Sequence, residues 1–256
     1  MKRVMLFVLA LLLSTFGTQQ ASATNSVLLF AGTGTHATAV AAVKTILNNV
    51  SLSYDTVDSA GMDAMSETTL KSYRLFIVPG GNSIQIGNNL KTTTTAMIRK
   101  TVQVDGLHYL GICAGAFFGG YGNPYNNLNL TNGVWFDFYK DYPTYHIEAV
   151  DLTFPQAVPP NNVKDAYWQD GPELDGQGVQ WGTIVSKYAA DGTPAVIQGA
   201  SGVGWVVLTG VHFEAPDNTT WRLCCNLVWD TSYADDAAYA GTLVLAAYNG
   251  TDLPHY

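Results

Sequence analysis

The sequence predicts an α/β fold in which a mainly parallel sheet is flanked by helices and carries an antiparallel extension. In the first half of the chain, short apolar strand patterns alternate with helix patterns. These strands are almost continuously apolar, as expected where helices cover both faces of a parallel sheet. Over residues 121–160 the pattern changes to alternating aromatic residues broken by Gly, Pro and Asn, which is typical of antiparallel strands.

The elements of the first half follow in the order β-α-β-β-α-β, ending in a further helix. We predict strands at residues 27–30, 53–57, 75–78 and 107–112, and helices at 37–47, 94–104 and from Ala116. Parallel strands place their carboxyl ends, and the loops that follow them, on one edge of the sheet. We therefore expect the functional site on that edge.

The second half is predicted to complete the sheet and to add helices. The antiparallel strands are predicted at 133–139 and 146–154, with further strands at 180–188 and 195–198, a return to the main sheet at 202–209, and helices at 219–229 and 233–248. No repeat or linker interrupts this pattern. We expect a single domain over residues 24–256.

Residues 1–23 have the pattern of a signal peptide. Lys2 and Arg3 precede an apolar run over 4–13, and Ala21-Ser22-Ala23 forms a cleavage site of small residues. Cleavage near Ala23 predicts a secreted or periplasmic protein. Because neither this run nor any later stretch approaches the roughly 20 apolar residues that a membrane helix needs, we expect no membrane span.

The charge of the chain excludes several classes of partner. Without Lys2 and Arg3, 10 basic residues face 20 acidic ones. Nucleic acids and anionic membranes attract clustered Lys and Arg, which this sequence lacks, so we expect neither as a partner. A neutral or weakly charged small molecule or peptide fits better.

Three cysteines, Cys113, Cys224 and Cys225, are too few for a disulfide framework. A disulfide between the neighbours Cys224 and Cys225 would distort the peptide that joins them, so we favour two small core-filling thiols over such a bond. Cys113 differs, because it lies in a motif.

Gly111-Ile112-Cys113-Ala114-Gly115 has the pattern of a nucleophile elbow with cysteine in place of serine. The small flanking residues permit a sharp turn from strand to helix, and the helix dipole at that turn favours the thiolate. A cysteine packed between glycines for structural reasons is the alternative. The preceding strand, the following helix and a downstream His-x-Glu favour a nucleophile.

His212 and Glu214 follow the strand predicted at 202–209. Residues two apart in extended chain point the same way, so the carboxylate could hold the imidazole. Thiol, imidazole and carboxylate at the ends of two strands form the set that nucleophilic acyl transfer requires. A turn histidine and a surface acid are the alternative.

Further residues are candidates for the oxyanion hole and for substrate binding. Pro79-Gly80-Gly81 ends the strand next to the elbow strand, so the amides of Gly81 and Ala114 could face one carbonyl oxygen, unless this is a plain turn. Tyr167 and Asp170 could line a pocket or belong to a packed loop. We predict substrate binding by these two residues and by Gly80 and Phe117, and no metal site.

Gly32-Thr33-Gly34-Thr35-His36-Ala37 also matches a dinucleotide-binding fingerprint, with Asp55 and Asp58 about 20 residues further on. Glycine-rich first turns are common in α/β sheets, and an exported protein rarely meets NAD. We retain nucleotide binding only as a minor alternative.

These motifs together resemble the class I glutamine amidotransferase-like superfamily, and more closely the amidotransferase-like domain at the amino end of biotin protein ligases. The resemblance rests on residues 78–81, 111–119, 167–172 and 208–214. It implies a flavodoxin-like fold and a triad of Cys113, His212 and Glu214. A thioester forms on the cysteine of such enzymes and is released by water, without a cofactor.

Two departures limit what the resemblance implies. Phe117 stands where glutamine-hydrolysing members carry glutamine, and neither a synthetase domain nor a biotin ligase catalytic region is present in the chain. The sequence therefore predicts a cysteine-dependent hydrolase or amidase acting on a carbon-nitrogen bond. The alternative is a non-catalytic ligand-binding protein on the same fold.

Overall fold

The computed structural model describes residues 26–140, 146–156, 160–216 and 229–256. The predicted leader over 1–23 and nearly all of the helix predicted at 219–229, with Cys224 and Cys225, lie outside the described residues.

The parallel part of the sheet contains five strands in the order β2-β1-β3-β4-β9. Their bounds are β1 Val27–Phe30, β2 Tyr54–Val57, β3 Leu75–Val78, β4 His108–Ile112 and β9 Gly204–Thr209. All four pairings among them are parallel. The five predicted strands are therefore found within two residues of their predicted bounds, and the last of them does pair with the elbow strand.

Helices cover both faces of these strands. The longer ones are α1 Ala37–Asn49, α5 Thr92–Asp105 and α7 Tyr233–Asn249, and the shorter ones are α2 Ser59–Ala64, α3 Glu67–Leu70, α4 Ser83–Asn88 and α6 Ala114–Gly119. The predictions for the longer helices are confirmed. Helices α2, α3 and α4 were not predicted, because each has only four to six residues and its boundary signal is a side-chain cap from Asp58, Ser66 or Asn82.

Successive strand residues enter two separate cores. In β3, Leu75 and Ile77 face the core that contains α1 and α7, whereas Phe76 and Val78 face the core that contains α5 and α6. All four side chains are fully buried. Burial on both faces explains why these strands are continuously apolar.

The other part of the sheet is antiparallel and larger than expected. Strands β8 Pro194–Ser201, β7 Thr183–Tyr188, β5 Ile147–Thr153 and β6 Asp165–Gln169 follow β9 in that order. The described sheet therefore has nine strands, with four antiparallel pairings beside the four parallel ones. The α/β class and the antiparallel extension are confirmed, but the sheet is mixed rather than mainly parallel.

One strand in this region was not predicted, and one prediction is wrong. Strand β6 was not predicted, because its aromatic and polar residues run into the turn at Gly171-Pro172. Residues 133–139 were predicted as a strand, yet their hydrogen bonds go to separate loops: Tyr121 N–H donates to Val134 O, and Tyr139 N–H donates to Gly171 O. Phe136 and Tyr139 are buried, whereas Trp135 and Phe138 are exposed, and Phe138 forms only an isolated bridge with Pro172.

No helix among the described residues is long and apolar enough to cross a membrane.

Gly115 offers a direct test of the packing between α6 and the sheet. A Cβ atom at this position would lie 1.9 Å from the carbonyl oxygen of Val78, which belongs to a buried strand and has no room to move. We expect Gly115→Ala to lower the free energy of unfolding by about 3 kcal/mol, at the upper end of overpacking costs. Chemical denaturation of both proteins measures this.

Gly61→Ala is the matched control. Gly61 lies in α2, and a Cβ atom there would meet its nearest neighbours at 3.1 Å. Because alanine also has the better helix propensity, we expect a change of less than about 1 kcal/mol. Equal effects of the two substitutions would contradict the contact with Val78.

Candidate active site

Cys113 occupies a strained turn between β4 and α6. Its φ of 50° and ψ of −105° lie outside the regions that residues with a side chain ordinarily adopt. Two hydrogen bonds hold this conformation: Cys113 N–H donates to Thr209 O at 2.8 Å, and Phe117 N–H donates to Cys113 O at 3.1 Å. The turn has the geometry expected of a nucleophile elbow, and such strain is typical of functional sites.

The two glycines of the motif permit close contact between backbones. A Cβ atom at Gly111 would lie 2.5 Å from the carbonyl oxygen of Gly115, and one at Gly115 would collide with β3 as described above. The helix after the elbow therefore packs directly on two strands. This contact is the physical reason for glycine at both positions.

His212 lies just beyond β9, and contacts from two other elements fix its position. Its backbone N–H donates to Tyr167 O at 2.8 Å, and its ring meets the Tyr167 ring edge-on at 5.6 Å. On another side, a Cβ atom at Gly80 would lie 2.4 Å from His212 Cε1. Gly80 and Tyr167 thus contact the histidine itself.

Glu214 pairs with His212 in the interior of the protein. The distance from His212 Nδ1 to Glu214 Oε1 is 2.8 Å, and the two residues are 3% and 2% exposed. The pair lies on a turn, in which Ala215 N–H donates to His212 O, rather than on extended chain. Phe213 points the other way into the core against Tyr239.

The surroundings hold His212 in its charged form. Burial alone would lower the pKa of His212, but the negative charges of Glu214 and Cys113, together with hydrogen bonds to both side chains, raise it to about 10. The imidazole is therefore protonated at neutral pH. A protonated imidazole is a group that can act as a general acid.

Cys113 Sγ has two polar neighbours. One is the side chain of His212, which hydrogen-bonds the sulfur. The other is the backbone carbonyl oxygen of Gln169, to which the thiol form can donate at 3.5 Å. Sulfur, imidazole and carboxylate thus form one continuous chain of contacts.

Cys113 lines a cavity of about 300 Å³, which is large enough for a small molecule. The residue itself is 5% exposed. The lining residues are His36, Gly81, Asn82, Ser83, Ile84, Cys113, Ala114, Phe117, Phe138, Gln169 and Asp170. Of the predicted site residues, Gly81, Ala114, Phe117 and Asp170 therefore share the cavity with the cysteine.

Two backbone amides lie at the wall of this cavity. Ala114 is the first residue of α6, so its N–H has no acceptor within the helix. Gly81 pairs with Thr35 in an isolated antiparallel β-bridge. The N–H groups of His36 and Asn82 donate the two hydrogen bonds of this bridge, so the Gly81 N–H is in neither of them. Both residues line the cavity that contains Cys113, and neither N–H is used by the hydrogen bonds named here.

Asp170 reaches the cavity from the turn after β6. Its φ of 46° is left-handed, which aspartate tolerates better than most residues. Burial raises the pKa of Asp170, an effect that its contact with the His146 backbone only partly offsets. The next residue, Gly171, fits against the chain before His212, since a Cβ atom there would lie 1.9 Å from Gly210 O.

Six cavity residues were not predicted from the sequence: His36, Asn82, Ser83, Ile84, Phe138 and Gln169. A signal existed for His36, because it follows a parallel strand and so lies on the same edge of the sheet as the elbow. The pKa of His36 is lowered, first by burial and then by the charge of His212. No comparable pattern marks Gln169 or Phe138.

Three amides of the glycine-rich turn before α1 donate to groups of the protein itself. Thr33 N–H donates to Ser59 Oγ, Thr35 N–H to Gly32 O, and His36 N–H to Gly80 O. Asp58, one of the two acidic residues that follow the fingerprint, caps α2. Internal packing thus accounts for the residues of the fingerprint.

Within the described ranges, no group of three or more His, Cys, Asp or Glu residues is arranged to hold a metal ion.

Comparison with known families gives one match. The family model described as biotin-protein ligase, N terminal, matches residues 25–131. This range contains β1 to β4, the Gly80-Gly81 turn and the elbow cysteine, and it ends before His212 and Glu214. The chain is thus related in sequence to that domain over its amino-terminal part. No similar sequence is found among curated proteins.

Solved structures resemble the chain at low sequence identity. A ThuA-like protein from Bacteroides uniformis is 9% identical, with a TM-score of 0.53 over 88% of this chain and 93% of that one. A cytoplasmic protein from Salmonella typhimurium LT2 is 11% identical, with a TM-score of 0.49 over 89% and 100%. A β-galactosidase from the haloarchaeon Halorubrum lacusprofundi is 15% identical, with a TM-score of 0.48 over 88% and 30%.

The coverage of these structures limits what they show. The chain spans only 30% of the length of the β-galactosidase but nearly all of the ThuA-like protein. At 9% identity, the ThuA-like protein shows a common fold and nothing about activity.

The charged state of His212 predicts how stability depends on pH. The pKa of His212 is about 10 in the folded protein, whereas the ordinary value, which applies to the unfolded chain, is 6.5. The stabilisation from its proton is therefore complete below about pH 6.5 and is lost as the pH rises through about 10. We expect the free energy of unfolding to fall over this range by up to about 1.4 kcal/mol per pH unit. Denaturant titrations between pH 6 and 10 measure it.

Glu214→Gln separates this effect from other titrating groups. The amide removes the negative charge that raises the pKa of His212, so the decline in stability should be clearly shallower in the variant. Parallel pH profiles for the two proteins would show that His212 is not held charged by Glu214.

Proposed function

We propose that this protein is a cysteine-dependent hydrolase that cleaves a carbon-nitrogen amide bond, with Cys113, His212 and Glu214 as its triad. The observation that carries the proposal is the buried 2.8 Å contact between His212 Nδ1 and Glu214 Oε1, on a ring that also hydrogen-bonds the elbow cysteine. The roles generalise from acyl-transfer enzymes: nucleophile, acid and base, and orienting carboxylate.

In the first half of the proposed reaction, the Cys113 thiolate attacks the amide carbonyl carbon and forms the carbon-sulfur bond. The carbonyl oxygen becomes negative and accepts hydrogen bonds from the N–H groups of Gly81 and Ala114. Protonated His212 gives its proton to the amide nitrogen as the carbon-nitrogen bond breaks. An amine leaves, and a thioester remains on Cys113.

In the second half, water replaces the amine. Neutral His212 takes a proton from the water, whose oxygen attacks the thioester carbon. The carbon-sulfur bond breaks, which releases the carboxylic acid product and restores the thiolate beside a protonated His212. Glu214 stabilises the imidazolium at both stages and keeps its own charge throughout. These steps need no cofactor.

The strand order of the parallel half supports the finer assignment of the fold. The order β2-β1-β3-β4-β9, with the elbow directly after β4, is that of flavodoxin-like sheets, whose sites lie at the carboxyl ends of the strands. We therefore assign a class I glutamine amidotransferase-like fold to a single domain over residues 24–256. The leader predicted over residues 1–23 adds the proposal that the enzyme acts outside the cytoplasm.

Replacing the nucleophile tests the mechanism. Cys113→Ala keeps a small side chain in the turn, so we expect the fold to persist and hydrolysis of amide substrates to disappear. Screening a panel of amides and peptides with both proteins measures this. Full activity in the variant would contradict a cysteine mechanism.

Thiol labelling distinguishes an enzyme from a protein that only binds a ligand on this fold. Iodoacetamide should label Cys113 rapidly in the native protein, and His212→Ala should slow that labelling, as followed by peptide mapping. Equal labelling rates in the native protein and in His212→Ala would instead favour a protein that only binds a ligand.

Glu214 should act by orienting His212. Glu214→Gln keeps the size and one acceptor but removes the charge, so we expect kcat to fall by up to about ten-thousandfold, less than in Cys113→Ala. Steady-state kinetics measure this. If only KM rose, Glu214 would be a binding residue, and Asp170 or Asp217 would be the next candidates for the third position.

A further inference from the structure

A second cavity of about 190 Å³ adjoins the one that contains Cys113. The two share Ser83, Ile84, Phe117 and Phe138 as lining residues, so they lie side by side. The rings of Phe117 and Phe138 lie 5.0 Å apart at the boundary. Phe117 lies one helical turn after Cys113 and lines both cavities, so the second cavity is next to the space around the thiol.

The walls of this second cavity carry exposed apolar side chains. Phe138 is 53% exposed, Tyr125 52%, Trp135 43%, Ile84 40% and Tyr121 37%. Single exposed side chains of this kind are common, but a contiguous set at the mouth of a site indicates binding. We call this surface the aromatic groove, and define it by these five residues and Phe117.

The charge of the groove restricts its occupant. None of the residues that line either cavity is Lys or Arg, whereas Asp137 and Asp170 each contribute a carboxyl group. An anionic group in the second cavity would therefore have no Lys or Arg partner, and the protonated His212 beside Cys113 does not line that cavity, whereas Asp137 does. The groove suits a neutral or cationic segment with a large apolar group.

We propose that the aromatic groove binds a peptide segment, with an aromatic or large aliphatic side chain seated against Phe117, Phe138 and Trp135 on the acyl side of the cleaved bond. This inference rests on the proposed function. In a peptide, that side chain is attached to the carbon next to the reacting carbonyl, which places it beside Phe117 when the carbonyl meets Cys113. Such an arrangement makes the enzyme a peptidase with a preference for apolar residues.

Matched peptides test the preference. The probes are acetyl-alanyl-phenylalanyl-alanine amide and its counterparts with glycine or glutamate in the central position. We expect kcat/KM for the phenylalanine peptide to exceed that for the glycine peptide by about tenfold, within the range that apolar pockets provide. The glutamate peptide should be the poorest of the three.

Substitutions in the groove locate the effect. Phe138→Ala and Trp135→Ala should each reduce the preference for phenylalanine over glycine severalfold, measured in each protein as the ratio of kcat/KM for the two peptides. Val203→Ala is the matched control, because Val203 is 66% exposed and lies in the turn before β9, at the other end of that strand from His212. Equal preference in all four proteins would overturn the proposal.

Binding to Cys113→Ala separates this inference from the proposed function. The change in tryptophan fluorescence on adding the phenylalanine peptide should be present in Cys113→Ala and diminished when Trp135→Phe is added. Such binding with no hydrolysis by the native protein would leave the groove standing and reject the hydrolase. Hydrolysis of the three peptides at equal rates would support the hydrolase and reject the peptide-binding groove. Binding of chitotetraose instead of the peptides would also reject the groove as a peptide site.

Discussion

Close contact between backbones at one edge of the sheet is the constraint on which the site depends. Three turns meet there with almost no space between them. Gly115 abuts Val78 O at the end of β3, Gly171 abuts Gly210 O before His212, and Gly80 abuts the His212 ring. A methyl group at any of these glycines would push two elements apart. The distance between thiol and imidazole is therefore set by main-chain packing, which is more rigid than contact between flexible side chains.

The antiparallel half of the sheet has a direct part in this arrangement. Strand β6 is the last strand of the sheet order, yet its end returns to the parallel half, where Tyr167 O accepts from His212 N–H and Gln169 O lies beside Cys113 Sγ. Tyr188 Oη, on β7, donates to Pro172 O and so anchors the turn that follows β6. The extension therefore forms one wall of the site and supports the histidine from behind.

Burial makes the interaction between His212 and Glu214 strong and also makes it necessary. Both side chains are almost fully enclosed, and Glu214 borders apolar residues such as Leu110 and Val244. A lone carboxylate in such a place would carry a large desolvation cost, so removing the imidazole affects folding as well as chemistry. Comparing stability and turnover in the same variants separates these two roles.

How far the sequence predicts this molecule depends on whether a signal is local. The elbow, the Gly80-Gly81 turn and His212 with Glu214 each lie in a short motif at the end of an apolar strand, and parallel pairing of those strands brings them to one edge. Strand β6 gave no such signal, because its burial comes from Trp168 packing against Tyr139, far from it along the chain. Residues 133–139 misled for the opposite reason. Their apolar residues include the exposed Trp135 and Phe138, which border the second cavity, and the segment pairs only through one bridge from Phe138 to Pro172.

The same distinction explains why the substrate side of the site was least predictable. A triad needs a few residue types at fixed points of the fold, whereas the cavity around it is formed by whichever loops reach the edge. Phe117 was identified because it follows the elbow, but its partner Phe138 comes from an irregular segment, and Gln169 contributes a backbone carbonyl that any residue could supply. The lining of the cavity is therefore encoded in loops whose geometry depends on long-range packing, while the residues of the proposed triad lie in motifs that a single sequence reveals.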